Sequence, residues 1–353
     1  MNILQVSGQV LGLYLGLFIG SAQAFDPFTS GPYASQHKTY YALVNTDLHN
    51  MIDVWVPDTL DTVDSPILFM VGGMGGLLPG VAYSTIFERV SSYGFTVVQP
   101  WILGNNPISN YDGIWLDDVM TWVENHLKEK LDSDGIGIGA VLNHRNVFLG
   151  SHSAGGHVTV EYLKHHCGDV KGSILMSPVD GFDPFGWIDL FAITPGEYLN
   201  YEIPSLILMC GLDAVKGIDG LGDLVPACAP EDLSNLRFYD ALPGNTWLIN
   251  ATDYGHGDCL DQFFVDAIQF THFCGSADDS VPREEYRSFI GGEIVTFMSH
   301  TLGLQDCTIS RYMEDPSLMP VKATVLKKDS VVSEHDACLQ ANCAWQSDPF
   351  PHE

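Results

Sequence analysis

The sequence predicts an α/β fold with a mostly parallel central sheet flanked by helices. Two observations carry that reading. Short, continuous apolar runs recur at Ile67-Val71, Phe95-Val98, Val147-Gly150, Ser173-Met176, Ser205-Met209 and Trp247-Ile249. Runs that are apolar throughout, rather than at every second residue, mark strands buried on both faces. Helix-length segments lie between them, clearest at Val81-Tyr93, Trp115-Leu131 and His157-His166, and such alternation builds parallel crossovers covered by helices. Ahead of these runs, Tyr40-Thr46 and Met51-Val56 read as two strands joined by a polar turn, an antiparallel start to the sheet. A last helix, from about Arg283 to Thr301, closes the domain.

Composition agrees with a large buried core. Hydrophobic residues make up 46% of the 353-residue chain and charged residues only 17%, which excludes global disorder. The formal charge of -29, from 15 Lys+Arg against 44 Asp+Glu, repels phosphate backbones and excludes nucleic acid as a natural partner. Its ordinary consequence is solubility.

The N-terminus reads as a targeting segment. An apolar, uncharged run from Val10 to Ile19 precedes Ala22-Gln23-Ala24, small residues in the pattern cleaved by signal peptidase. Residues 1–24 are therefore expected to be a signal peptide, although no Lys or Arg precedes the apolar run. The run is too short to span a bilayer, and no later segment is long and apolar enough to serve as a stable membrane anchor. Secretion is the expectation. A plastid route entered at Phe25 is the alternative, ranked lower because Phe25-Asp26-Pro27-Phe28 is acidic where a transit segment should be basic.

Eight cysteines, an even number in a chain expected to be secreted, imply disulfides. No CxxC pair is present, so neither a zinc site nor a redox motif is expected. Cys210 lies inside an apolar run and reads as a buried free thiol. Asn250-Ala251-Thr252 is a glycosylation sequon. The catalytic domain is expected to end near residue 303. Residues 304–353 are more polar, lack periodicity, carry Cys307, Cys338 and Cys343, and read as a C-terminal extension of unassigned role.

The chemistry centres on Val147-Phe148-Leu149-Gly150-Ser151-His152-Ser153-Ala154-Gly155-Gly156. A strand running into a tight turn and then a helix is the setting of a nucleophile elbow, G-x-S-x-G, here with Ser151 in place of the first glycine. The turn projects Ser153 Oγ, and the helix N-terminus supplies amides for a developing oxyanion. A serine that merely caps the helix is the competing reading. The Gly72-Gly73-Met74-Gly75-Gly76 turn after the third strand favours the elbow, because glycines let backbone amides approach a substrate closely. The N–H groups of Met74 and Ala154 are the expected oxyanion-hole donors. Of 13 histidines, His256 follows the last core strand in Asp253-Tyr254-Gly255-His256-Gly257, the position of a general base. His152 and His157 flank the nucleophile and read more simply as packing. Two carboxylates compete for the third place: Asp180, after the sixth strand, and Asp213, after the seventh. Either is chemically adequate, and spacing does not choose.

At these residues the chain resembles the chlorophyllases of the α/β-hydrolase fold. That family carries a G-H-S-R-G-G elbow, a P-V-D-G segment and a D-Y-G-H segment. Here they correspond to Ser151-His152-Ser153-Ala154-Gly155-Gly156, Pro178-Val179-Asp180-Gly181 and Asp253-Tyr254-Gly255-His256. The resemblance covers roughly residues 25–303 and implies a serine carboxylic ester hydrolase acting on a lipophilic ester such as the phytyl ester of chlorophyll. It implies Ser153, Asp180 and His256 as the triad, with no metal or organic cofactor. The chain departs from the family at Ala154, where Arg is usual, and at Gly72-Gly73, where His-Gly is usual. Both changes bear on substrate choice more than on hydrolysis. The aromatic-rich stretch Phe182-Tyr201 is expected to be a lid for an apolar chain, or else an ordinary buried loop. A lipase- or cutinase-like esterase without pigment preference and a silent binding protein on the same fold are the alternatives.

Overall fold

The computed structural model describes residues 25–45, 48–101, 113–181, 190–217, 227–271, 274–305 and 307–330. The targeting segment, the first residues of the aromatic stretch, and Cys338 and Cys343 lie outside them.

All eight expected strands form. They are β1 (Ala34–Asn45), β2 (Leu48–Asp58), β3 (Val63–Val71), β4 (Thr96–Trp101), β5 (Ala140–His152), β6 (Gly172–Met176), β7 (Ser205–Cys210) and β8 (Thr246–Ala251). A ninth, β9 (Ala323–Lys328), completes a sheet of order β1-β2-β4-β3-β5-β6-β7-β8-β9. β1 and β2 pair antiparallel, as the opening hairpin predicts, and β2 also pairs antiparallel with β4. From β4 through β3, β5, β6 and β7 to β8 every pairing is parallel.

Parallel strands need crossovers, and α1 (Ser84–Ser92), α2 (Trp115–Trp122), α3 (Lys128–Asp134), α4 (Gly155–His166) and α5 (Leu236–Ala241) lie on them, while α6 (Gln262–Thr271) and α7 (Arg283–Thr301) follow β8. A π-helical turn, Val123–Leu127, joins α2 to α3, so the expected Trp115-Leu131 helix is one continuous rod. Alternate side chains of each strand enter two cores. Phe69, Leu149, Ile207 and Leu248 face one core with α2 and α4, while Leu68, Met70, Phe148 and Leu206 face the other with α1 and α7. Each large side chain buried this way contributes about 1.5–3 kcal/mol, which is why both strand faces read as apolar.

The C-terminal boundary differs from the expectation. Residues 307–330 belong to the domain: α8 (Arg311–Glu314) contributes the buried Met313, and β9 pairs antiparallel with β8 from Thr246↔Lys328 to Ala251↔Ala323. As an edge strand, β9 has residues that alternate between half-buried and exposed and ends in two lysines, so it lacks the continuous apolar signature of a central strand. Lysines at an edge also discourage pairing with another chain. The sequon is a second difference. Asn250 lies within β8, paired on both sides with Met209 and Thr324, and its Oδ1 is buried, unlike the surface loop such an acceptor requires.

Of the expected disulfides, Cys228–Cys274 is formed, with its Cα atoms 5.4 Å apart, and Cys167 is also disulfide-bonded. Cys210 is a buried free thiol, as expected, and Cys259 is a second. Among the described residues no helix is long and apolar enough to cross a membrane.

Candidate active site

β5 lies next to β3, with Val71 opposite Ser151. The segments leaving both strands therefore emerge side by side at the carboxyl edge of the sheet, where open α/β folds bind ligands. After His152 the chain turns sharply into α4. Ser153 sits at φ 57°, in the left-handed region that a residue with a Cβ avoids. Hydrogen bonds hold it there: its N–H donates to the Met176 carbonyl at 3.1 Å, and its own carbonyl accepts from Gly156 and Val179, both at 2.9 Å. Two residues on, a Cβ at Gly155 would lie 2.5 Å from the Val71 carbonyl oxygen and 2.9 Å from that of Gly72. Only glycine lets the elbow and the glycine turn approach so closely. Strain held by surrounding bonds is a mark of functional sites.

His256 reaches the elbow from the loop after β8. Its Nε2 lies 2.8 Å from Ser153 Oγ, and its Nδ1 lies 3.0 Å from Asp213 Oδ1. With a proton on Nδ1 donated to Asp213, Nε2 is left to accept from the serine hydroxyl. The ring is 4% exposed. Asp213 is held in turn, its Oδ2 accepting from the Cys210 N–H at 3.0 Å and from Asn235 Nδ2 at 2.9 Å. Asn235 is a participant that sequence reading does not find, because it lies between elements with no motif around it.

On the other side, the glycine turn brings Met74 beside the elbow at φ 57°. Met74 is 52% exposed. Ala154 is the cap residue of α4, and its amide stands at the positive end of that helix.

The model of the chlorophyllase family matches residues 28–330. The chain belongs to the chlorophyllase family. Similar proteins include chlorophyllase-1 of Arabidopsis thaliana, 29% identical over 70% of this chain and 76% of the relative. Chlorophyllase-1, chloroplastic, of Citrus unshiu is 26% identical over 72% and 74%, and chlorophyllase type 0 of Chenopodium album is 27% identical over 66% and 67%. The chain is thus a member of a family of carboxylic ester hydrolases, and the match runs through β9, in keeping with a domain that continues to residue 330.

Within this chlorophyllase-family chain, the choice of Asp180 as the partner of His256 is not met. Asp180 is fully buried elsewhere. Its Oδ1 lies 3.0 Å from His157 Nδ1 and accepts from the Ala192 N–H at 2.7 Å, while its Oδ2 accepts from the Ile193 N–H at 3.1 Å and from Arg237 Nε at 2.8 Å. The cause is topological. β7 adjoins β8 and β6 does not, so the segment after β7 meets the histidine loop directly, with the Leu212 N–H donating to the Tyr254 carbonyl at 2.9 Å. Asp180 instead ties residues 192–193 of the aromatic stretch to α4 and Arg237. In that stretch Tyr201 is buried, whereas Phe191 and Tyr198 are exposed.

One further set of contacts joins the two halves of the site. Tyr83 Oη accepts from the Gly73 N–H at 2.9 Å and donates to His152 Nδ1 at 2.8 Å. His152 Nε2 then donates to the His256 carbonyl at 3.1 Å. All three side chains are buried. Burial, and then the nearby His256, push the His152 pKa down to about 3, so the ring is neutral and serves as a strut rather than a base. His152 is therefore more than packing, and Tyr83 carries no sequence signal beyond its place in an apolar stretch.

Proposed function

We propose that the chain is a serine carboxylic ester hydrolase in which Ser153 is the nucleophile, His256 the general base and Asp213 the orienting acid. The observation that carries this reading is the unbroken chain from Ser153 Oγ to His256 to Asp213, at 2.8 and 3.0 Å. His256 takes the Ser153 proton, and Oγ attacks the ester carbonyl. The resulting oxyanion is held by the amides of Met74 and Ala154, as preorganised dipoles that need not reorient during reaction. Imidazolium, stabilised by Asp213, returns the proton to the leaving alcohol, and the acyl group remains on Ser153. Water, activated by the same histidine, then releases the acid.

The names of the relatives favour chlorophyll as the ester, with phytol as the alcohol. The exposed Phe191 and the aromatic stretch around it would receive an apolar chain better than a polar one. A secretory route belongs to the same proposal, and the Cys228–Cys274 disulfide supports an oxidising compartment. A fluorophosphonate should form an adduct on the peptide containing Ser153, located by mass spectrometry. Labelling elsewhere, or none on the folded chain, would remove the nucleophile assignment.

A further inference from the structure

We propose that α6 and the turns beside it form a docking face for an uncharged lipid surface, one that presents the active-site mouth to ester chains dissolved in that surface. The proposal rests on the lipophilic-ester reading above, and its test separates the two.

α6 is apolar on opposite sides. Val265 is buried, and Phe264 and Ile268 pack on the core. Phe263 and Phe270, however, are 78% and 88% exposed. Asp266 and Ala267, both exposed, complete an i, i+3, i+4, i+7 spacing with them, so the outward face carries two rings with one carboxylate between them. Exposed aromatic rings on the outer face of a helix are the groups that an interfacial helix buries in the headgroup layer, although this helix has no basic residue and its other face is packed on the core.

Its placement connects that face to the chemistry. Gly257, next to His256, packs against Ile268 so closely that a Cβ there would lie 2.6 Å from Ile268 Cδ1. Ahead of α6, the Asp261 N–H donates to the Ala82 carbonyl at 2.7 Å. Beyond α6, Cys274 is tied to Cys228. The helix is therefore packed on the histidine loop through Ile268 and tied on either side to other parts of the domain, at Ala82 and Cys228. The other site turns also carry exposed apolar residues, Met74 in the glycine turn and Val215 two residues after Asp213.

Charge selects the occupant. From Phe238 to Pro282 the sequence contains no Lys or Arg, while Asp240, Asp253, Asp258, Asp261, Asp266, Asp278 and Asp279 lie within it. Asp258 is buried against Arg283, whereas Asp240, Asp253, Asp266, Asp278 and Asp279 are exposed; on a chain of net charge -29 these carboxylates are repelled by anionic headgroups, whereas an uncharged or zwitterionic headgroup layer carries no such penalty.

The test is vesicle flotation at low salt with phosphatidylcholine vesicles and with vesicles containing added phosphatidylglycerol. The proteins are the wild-type chain, Ser153→Ala and the double variant Phe263→Asp/Phe270→Asp. Wild type and Ser153→Ala should float equally with phosphatidylcholine and less with the anionic vesicles. The double variant should lose flotation by about tenfold or more, the scale expected on removing two inserted aromatic rings. It should still turn over a short water-soluble ester at the wild-type rate, which also shows that it is folded. Flotation of the double variant at the wild-type level, or preference for anionic vesicles, would overturn the proposal. So would self-association of the wild type that the double variant abolishes without any vesicle binding, since that would assign the face to a second copy. Flotation without hydrolysis of any ester would leave the docking face standing and sink the functional reading instead.

Discussion

Replacing Asp213 and Asp180 one at a time with asparagine separates the role of each carboxylate. Asparagine keeps the shape of either side chain and removes the charge. At position 213 the lost charge faces His256 Nδ1 at 3.0 Å. The imidazolium that forms as Ser153 attacks then has no counter-charge, and the amide no longer enforces the tautomer that leaves Nε2 free to accept. Losses of this kind reach about 10³–10⁴ in kcat, or about 4–5.5 kcal/mol of transition-state stabilisation at 1.36 kcal/mol per decade. KM should change little, because Asp213 touches only the histidine loop and its supports. At position 180 the charge lost faces Arg237 Nε at 2.8 Å and His157 at 3.0 Å, with Asp180 fully buried. Breaking a buried pair costs about 3–5 kcal/mol of stability, and asparagine retains one acceptor for the Ala192 or Ile193 amide, so a loss near the lower end is expected. Turnover of the folded fraction should stay within about tenfold, a deficit of about 1.4 kcal/mol. Steady-state kinetics on a soluble ester, with urea unfolding of each variant, reads both quantities. A folded Asp180→Asn chain that has lost about a thousandfold in kcat, beside an Asp213→Asn chain that has not, would refute the assignment.

Two other substitutions test the surroundings of the site. Tyr83→Phe removes the hydroxyl between the Gly73 amide and His152 and leaves both without their partner; kcat should fall by about tenfold with KM nearly constant, and stability by about 1–2 kcal/mol. An unchanged kcat would show that the strut does not position the glycine turn. Glu293, in α7, is fully buried with neither carboxyl oxygen hydrogen-bonded, and burial raises its pKa well above the usual 4.5. The folded chain therefore holds a proton that the unfolded chain releases near pH 4.5, so this group weakens the fold as pH rises above that value. Glu293→Gln should raise Tm at pH 7 and leave it almost unchanged at pH 4; equal shifts at both would show that the carboxyl is not the source.

Much of the fold was legible because the physics is local. Strands buried on both faces must be apolar throughout, and the Ile67-Val71, Val147-Gly150 and Ser205-Met209 runs each fall within a strand of the parallel sheet. The 283–301 helix was legible for the same reason, since its ends are set by Pro282 and by the Thr301-Leu302-Gly303 exit. What failed depended on neighbours distant in sequence. β9 is an edge strand whose pattern is half polar, and only its partner β8 makes it a strand. The pairing of Ser153 with His256, which lie 2.8 Å apart, was legible because each sits in a glycine-bearing turn after a core strand. The acid was not, because Asp180 and Asp213 both follow core strands, and the choice depends on which strand adjoins β8. Motif likeness favoured the carboxylate with the more specific segment around it. That segment serves a buried junction with His157 and Arg237 instead. Tyr83 and Asn235 reach His152 and Asp213 by hydrogen bonds across tens of residues, for which a lone sequence has no periodic or spaced signal.

Attack of Ser153 on the ester of a chlorophyll is the proposed reaction. Its most direct test is release of chlorophyllide from chlorophyll a by the purified chain, with Ser153→Ala measured in parallel. Release by the wild type, and none above background by the variant, is expected. Equal release by both would contradict the assignment of the nucleophile. No release by a wild-type chain that still hydrolyses soluble esters would contradict the choice of chlorophyll as substrate.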